Sequence, residues 1–210
     1  MDNVKVKFST LVEIRDHQTG ELLVSDCNAV HPANLAFVIA RGLANESNHD
    51  IFRVGLGNGG SYIDSVGTIR FNDPNTVGLD AKLYNETYFE TVDQSGNSIS
   101  SMRSPSGDTT SIVTVDLVIA SNEPSSSAGW DAQWTSDAQG EDTAQNPQDP
   151  LTGYKYEFDE LGCFSVNPFY DGTPVNGPEY LLLTHIVFHP IAKSQNRQLH
   201  LTYTLTVSVS

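Results

Sequence analysis

Apolar and polar residues alternate most clearly at the end of the chain. In RQLHLTYTLTVSVS, Leu199, Leu201, Tyr203, Leu205, Val207 and Val209 alternate with His200, Thr202, Thr204, Thr206 and Ser208. A period of two predicts a strand with one buried face, about 37 Å long at ~3.4 Å per residue. Its polar face is almost entirely Thr and Ser. Such a strand is expected either to cross a sandwich or to project beyond the core and pair with another subunit. VKVKFSTLVEI (4–14) has the same period, RDHQTGE supplies turn residues Asp16, Thr19 and Gly20, and ELLV resumes, which predicts a hairpin. IVTVDLVI (112–119) reads as a β-branched strand with Asp116 as its odd member. GTIRF and KLYNETYFETV read as strands separated by NDPNTVG, and QSGNSISSMRSPSGD reads as a polar loop. KYEFDELGCFSV and EYLLLTHIVFHPI complete the strand-forming segments.

Helical periodicity occurs once. From about Pro32 to Ala44, Leu35, Val38, Ile39 and Leu43 fall on one stripe, and Pro32 suits the first helical position. The pattern predicts a mainly β, antiparallel β-sandwich with one early α-helix (about 32–44) and a long irregular loop (about 121–153), all in a single domain spanning 1–210. The loop holds Glu123, Asp131, Asp137, Glu141, Asp142 and Asp149, and no Lys or Arg occurs between Arg103 and Lys155. Trp130 and Trp134 lie inside it. Exposed Trp becomes buried against something, its own domain or a partner. Trp130 and Trp134, with Thr202, Thr204 and Thr206, are therefore the expected assembly contacts.

Charge narrows the choice of partners. Across 210 residues, 11 Lys and Arg face 26 Asp and Glu, a net charge of −15. No basic stripe is visible, so nucleic-acid binding through the surface as a whole is disfavoured. No apolar run is long enough to span a membrane, and MDNVKVKFST lacks the apolar stretch of a secretion signal. Cys27 and Cys163 have no metal-site or CxxC spacing and are expected to be free thiols.

One segment invites a chemical reading. Residues 55–60, GLGNGG, match the dinucleotide fingerprint G-x-G-x-x-G after the strand-like IFRV. That fingerprint needs a helix to begin at the third glycine, so that the helix N-terminus meets a pyrophosphate. Here SYIDSVGTIRF follows, which reads as turn and strand, and the helix precedes the motif. Gly55, Gly57, Asn58, Gly59 and Gly60 are therefore expected to form a structural turn, with positive φ or close backbone packing. His185 and His189 would chelate a metal only on a helix, and in LLLTHIVFHPI they are expected to be structural. The acidic loop lacks EF-hand spacing. No catalytic, cofactor-binding or metal-binding residues are expected and the chain does not read as an enzyme. A small hydrolase, which would need a pocket of converging carboxylates, is the remote alternative.

Several segments together carry a resemblance: NAVHPAN (28–34) opening a helix that runs into ARGL (40–43), IFRVGLGNGG, ELGCF (160–164), and FHPIAK (188–193) within the strand-forming end of the chain. They resemble the virion structural proteins of tailed bacteriophages. Members commonly have an Asn-Ala-Ile/Val-His-Pro-x-Asn helix start, a Gly-x-Gly-Asn-Gly-Gly turn, a Glu-(Ile/Leu)-Gly-x-Phe element and a hairpin beginning with phenylalanine, two residues and lysine; here four residues separate Phe188 from Lys193. Cys163 stands where an aliphatic residue is commoner. The resemblance skips about 100–150. It implies a non-enzymatic structural subunit of the neck, tail or baseplate, assembled in the host bacterial cytoplasm with other virion proteins and copies of itself. A capsid decoration protein and a carbohydrate- or receptor-binding fibre or spike module are the alternatives.

Overall fold

The computed structural model describes residues 5–47, 50–92, 98–103, 109–121, 123, 155–173, 177–194 and 196–210. Trp130, Trp134 and nearly all of the acidic segment lie outside the described residues.

The chain folds into strands β1 (Val6–Asp16), β2 (Leu22–Asp26) and β3 (Ala29–Val30), helix α1 (Pro32–Leu43), then β4 (Arg53–Gly57), β5 (Ser61–Ile63), β6 (Ile69–Phe71) and β7 (Glu86–Thr91). β8 (Ser98–Arg103), β9 (Thr110–Ile119), β10 (Lys155–Val166), β11 (Tyr180–Ser194) and β12 (Leu199–Val209) follow. Two five-stranded antiparallel sheets result, ordered β2-β1-β12-β9-β8 and β3-β11-β10-β4-β7, with β5 and β6 forming a separate two-stranded ribbon. Val12, Ile14, Val115, Leu117, Leu199 and Leu201 of the first sheet meet Val54, Leu56, Leu161, Ile186 and Phe188 of the second in one buried cluster. The architecture is a mainly β, sandwich-like fold with a single helix among the described residues. That helix is not long and apolar enough to cross a membrane.

Alternation fails at one predicted loop. Residues 98–103 form β8, paired with β9 from Ser98↔Asp116 to Arg103↔Ser111. SISSMR has little apolar content to announce a strand, yet the long β9 offers an open row of N–H and C=O groups on that side, and pairing satisfies them. KLYNETYFETV is a strand only from Glu86. Its first residues run over the outer face of the second sheet, where Ala81 and Leu83 pack on Phe164 and Leu182 in a second apolar cluster.

β12 follows the predicted alternation, but its place in the sheet decides what it can do. It pairs with β1 from Val6↔Val209 to Asp16↔Leu199 and with β9 from Leu199↔Ile119 to Ser208↔Thr110. Both edges are filled, so β12 cannot extend a neighbour's sheet by main-chain pairing. Thr202, Thr204 and Thr206 stand half-buried on the outer face, and the Thr202 hydroxyl donates to Asp116 Oδ1 at 2.9 Å. This bond accounts for the aspartate inside an otherwise β-branched strand.

Helix α1 begins at Pro32, as predicted. Its stripe is only half used: Leu35 and Val38 are buried, whereas Leu43 is 85% exposed. Asn45, at φ 55°, carries the chain out of the helix in the left-handed region.

The two faces of β12 predict different tolerances. Leu201→Ala, opening a void in the inter-sheet core, should cost about 2–5 kcal/mol, whereas Thr204→Ala should cost under about 1 kcal/mol. Urea denaturation of both variants checks this.

Candidate functional site

The residues carrying the resemblance come from distant parts of the chain and meet on the second sheet. β4 lies between β10 and β7, with Leu161↔Leu56 and Gly55↔Phe89 in register. Leu56 points into the core and Gly55 and Gly57 to the opposite face. The glycines of GLGNGG have no positive φ; they are needed for space. A Cβ on Gly57 would lie 2.3 Å from the Asn85 carbonyl oxygen, and one on Gly60 2.7 Å from that of Asp159. Asn58 and Gly59 do not close a hairpin, because β4 and β5 belong to different sheets. They form a corner that passes the chain from the second sheet into the ribbon, with the Asn58 side chain accepting from Asn85 Nδ2 at 2.6 Å.

The corner's N–H groups point at carboxylates of the chain itself. Gly59 N–H donates to Glu160 Oε1 at 3.1 Å, Gly60 N–H to Asp159 Oδ1 at 2.9 Å, and Ser61 N–H to Asp159 Oδ2 at 2.8 Å. Ser61 Oγ adds a 2.5 Å bond to Asp159 Oδ2. Glu160 also accepts from the N–H groups of Tyr84 at 2.9 Å and Asn85 at 2.7 Å. Donors that a nucleotide phosphate would use are thus occupied by internal anions, and this corner is no phosphate cradle. Burial pushes the Asp159 carboxyl above the ordinary aspartate range, against the pull of its bonds from Ser61 and Gly60.

Glu160 has one more partner. His185 Nε2 lies 3.0 Å from its Oε2, and both side chains are 0% exposed. His185 Nδ1 accepts from the Asn75 N–H at 2.8 Å, so the ring proton sits on Nε2 and is donated to Glu160. An acid beside an imidazole looks like proton-transfer machinery, but this pair faces no solvent and both ring nitrogens are used internally. His189, four residues on, is exposed and contacts Phe71, so the two histidines share no site.

NAVHPAN is tied to β11 in the same manner. His31 caps α1: its Nδ1 accepts from the Asn34 N–H at 3.2 Å and its Nε2 lies 2.8 Å from the Gly78 carbonyl oxygen. The His31 N–H donates to the Leu183 carbonyl at 2.8 Å, and Asn34 Nδ2 donates to Leu182 O at 2.9 Å. Asn28 Nδ2 reaches Thr184 Oγ1 at 3.2 Å. Beside the corner, Arg53 Nη2 lies 2.9 Å from Glu86 Oε1, and its guanidinium carbon sits 4.0 Å from the ring centre of Tyr180.

FHPIAK contributes Lys193, which is buried. Its ammonium donates to the carbonyls of Ser194 at 3.2 Å and Ser121 at 3.4 Å. Burial lowers its pKa to about 8, opposed by the nearby Glu123 carboxylate. The region 188–193 lies within continuous β11, and the hairpin to β12 turns only after Ser194.

The ribbon is the outward part of this construction. Asp64 Oδ1 accepts the N–H groups of Val66 at 3.0 Å and Thr68 at 2.9 Å, and Arg70 Nε bonds Asp64 Oδ2 at 2.9 Å. At its base, the Asn72 N–H donates to Gly60 O at 2.8 Å. The tip exposes Ile63 (72%) and Val66 (80%), and the segment after the ribbon exposes Val77 (84%) and Leu79 (72%). Sequence reasoning missed this patch because SYIDSVGTIRF reads as a turn and a strand whose apolar residues would face a core. Gly55, Gly57, Asn58, Gly59 and Gly60 converge with Glu160 and His185; Thr202, Thr204 and Thr206 belong to the first sheet and do not join them.

Cys27 is exposed and Cys163 buried, both as free thiols, and burial pushes the Cys163 thiol up to about 12. Among the described residues, no cluster of three or more His, Cys, Asp and Glu side chains could hold a metal ion. Comparison with protein-family models, curated proteins and solved structures finds no match.

Two measurements test the packing. Gly57→Ala should cost on the order of 3 kcal/mol, because backbone must move. Gly67→Ala, with φ +83° but open space around it, should cost about 1–2 kcal/mol from backbone strain alone. Thermal unfolding of the pair distinguishes crowding from handedness. Lys193 gives a pH signature. Between about pH 8 and ~10.5 the unfolded chain still holds the lysine proton that the folded chain has released, so stability rises with pH in that window. Relative to Lys193→Met, the wild type should gain stability from pH 8 to pH 10, read from denaturant midpoints.

Proposed function

We propose that this chain is a non-enzymatic structural subunit of a tailed-bacteriophage virion, assembling through contacts with copies of itself and with other virion proteins in the neck, tail or baseplate region. The observation that carries the reading is the ribbon. Two short strands bonded only to each other are marginal on their own, yet here the glycine corner, Asp159 and Asn72 anchor them firmly and Ile63 and Val66 are held outward. An exposed apolar patch on a well-anchored support marks an interaction surface.

The segments that carry the family resemblance support the same reading. Most of their polar residues hold α1, the corner and β10 on β11, and the exposed His189 lies against Phe71 of the ribbon. A net charge of −15 disfavours direct contact with nucleic acid, which suits protein partners. A capsid decoration protein would use the same kind of surface.

The experiment is assembly of the full chain followed by light scattering and negative-stain imaging. The wild type should form a ring or a defined oligomer burying well over ~1,000 Å² per contact, and Ile63→Asp/Val66→Asp should shift it to monomer with an unchanged melting temperature. A wild type that stays monomeric at every concentration, alone and with co-expressed virion proteins, would overturn the proposal. So would a double variant that assembles equally well.

A further inference from the structure

The ribbon tip has a counterpart elsewhere on the same chain. Between the inner face of the first sheet and α1 lies a half-open, largely apolar recess of about 450 Å³. Phe8, Val113 and Leu205 of the sheet and Leu35, Val38 and Ile39 of the helix are among its walls. The apolar surface continues beyond them. Alternation puts Val6 on the same face as Phe8 and pairs it with Val209, and these two are 53% and 37% exposed. Leu43, one turn after Ile39 on the helix, is exposed as well. No residue of the ribbon is among the lining, so projection and recess are separate places on one molecule.

Size and charge relate the two. The recess is about threefold the ~150 Å³ cavity that admits benzene, and the Ile63 and Val66 side chains each have fewer carbons than benzene. Both therefore fit inside it together. Copies of a chain with net charge −15 repel one another unless opposite charges meet where they touch. The recess carries the exposed carboxylate of Asp50. The ribbon carries Arg70, whose side chain is 58% exposed beside Asp64.

We propose that the ribbon tip of one copy docks in this recess on the next copy, with Ile63 and Val66 entering it and Arg70 coming against Asp50. A projection that meets a different, concave surface makes a heterologous contact, which repeats from copy to copy and closes a ring where the rotation allows. The tip alone is small against the ~1,200 Å² at which standard interfaces begin, and Val6, Val209 and Leu43 supply further apolar area around it. The inference rests on the assembly reading and adds to it the surface that receives the ribbon.

The test mixes two variants of the full chain, each with one half of the contact disabled, and reads mass by light scattering after gel filtration. Ile63→Asp/Val66→Asp keeps the recess. Ile39→Glu keeps the ribbon and places a charge in the recess wall, at a part-exposed helix position that a good helix former suits. Each should be monomeric where the wild type assembles, with an unchanged circular dichroism spectrum. Mixed in equal amounts, they should give a species of twice the monomer mass that grows no further. The intact ribbon of one fits the intact recess of the other, and the remaining halves are disabled. Val113→Trp, which fills the recess, takes the place of Ile39→Glu should that variant not fold. A folded recess variant that assembles like the wild type, or a mixture that stays monomeric, would overturn the docking and leave the ribbon reading standing. A wild type that is monomeric alone but assembles with co-expressed virion proteins would do the same. One that is monomeric in every setting would overturn both.

Discussion

A carboxylate removed from water has to be surrounded by donors, and Glu160 is surrounded by four. The N–H groups of Gly59, Tyr84 and Asn85 and the Nε2 proton of His185 all end on it. The four donors come from three stretches of chain: the glycine corner, the segment leading into β7, and β11. Removing a partner from such a network leaves a buried charge or an unpaired amide, so the stretches are fixed together. The glycines are the steric condition for this. Only without side chains at 57 and 60 can the corner's amides come within bonding distance of Asp159 and Glu160.

From that knot the rest of the second sheet follows. His185 orients on Asn75 and so locates the crossing segment that covers the outer face of the sheet. His31 bonds the Gly78 carbonyl and draws the start of α1 against that same segment. NAVHPAN, GLGNGG, ELGCF and FHPIAK are far apart in sequence, but the first three share one hydrogen-bonded framework and the last extends the strand on which that framework rests. What the framework delivers is a base for the ribbon, whose tip exposes Ile63 and Val66.

The first sheet is organised differently. Its inner face is largely apolar, and its outer face sets the Thr and Ser of β12 beside Glu13, Arg15 and Asp116, with the Thr202 hydroxyl bonded to Asp116. Where this sheet faces α1, packing is incomplete and a half-open, largely apolar space remains.

Much of the architecture was legible along the chain. Alternation located β1, β9 and β12, because period two survives wherever one face of a strand is buried and the other is not. The helix was legible from its stripe and from Pro32, and the order helix-before-glycines was enough to reject a dinucleotide fold. Tertiary structure alone decided the rest. β8 is a strand because β9 had an open edge, which nothing in SISSMR announces. β12 is interior, since pairing partners are chosen by the whole sheet and not by the strand. The acids that fill the glycine corner sit about a hundred residues away, and no spacing rule links Glu160 to Gly59 or His185 to Asn75. Leu43, placed on the buried stripe by its period, emerges into solvent because the helix outruns the surface beneath it. Local pattern reports which face of an element wants burial; which surface meets that face is settled only when distant segments compete for the same neighbours.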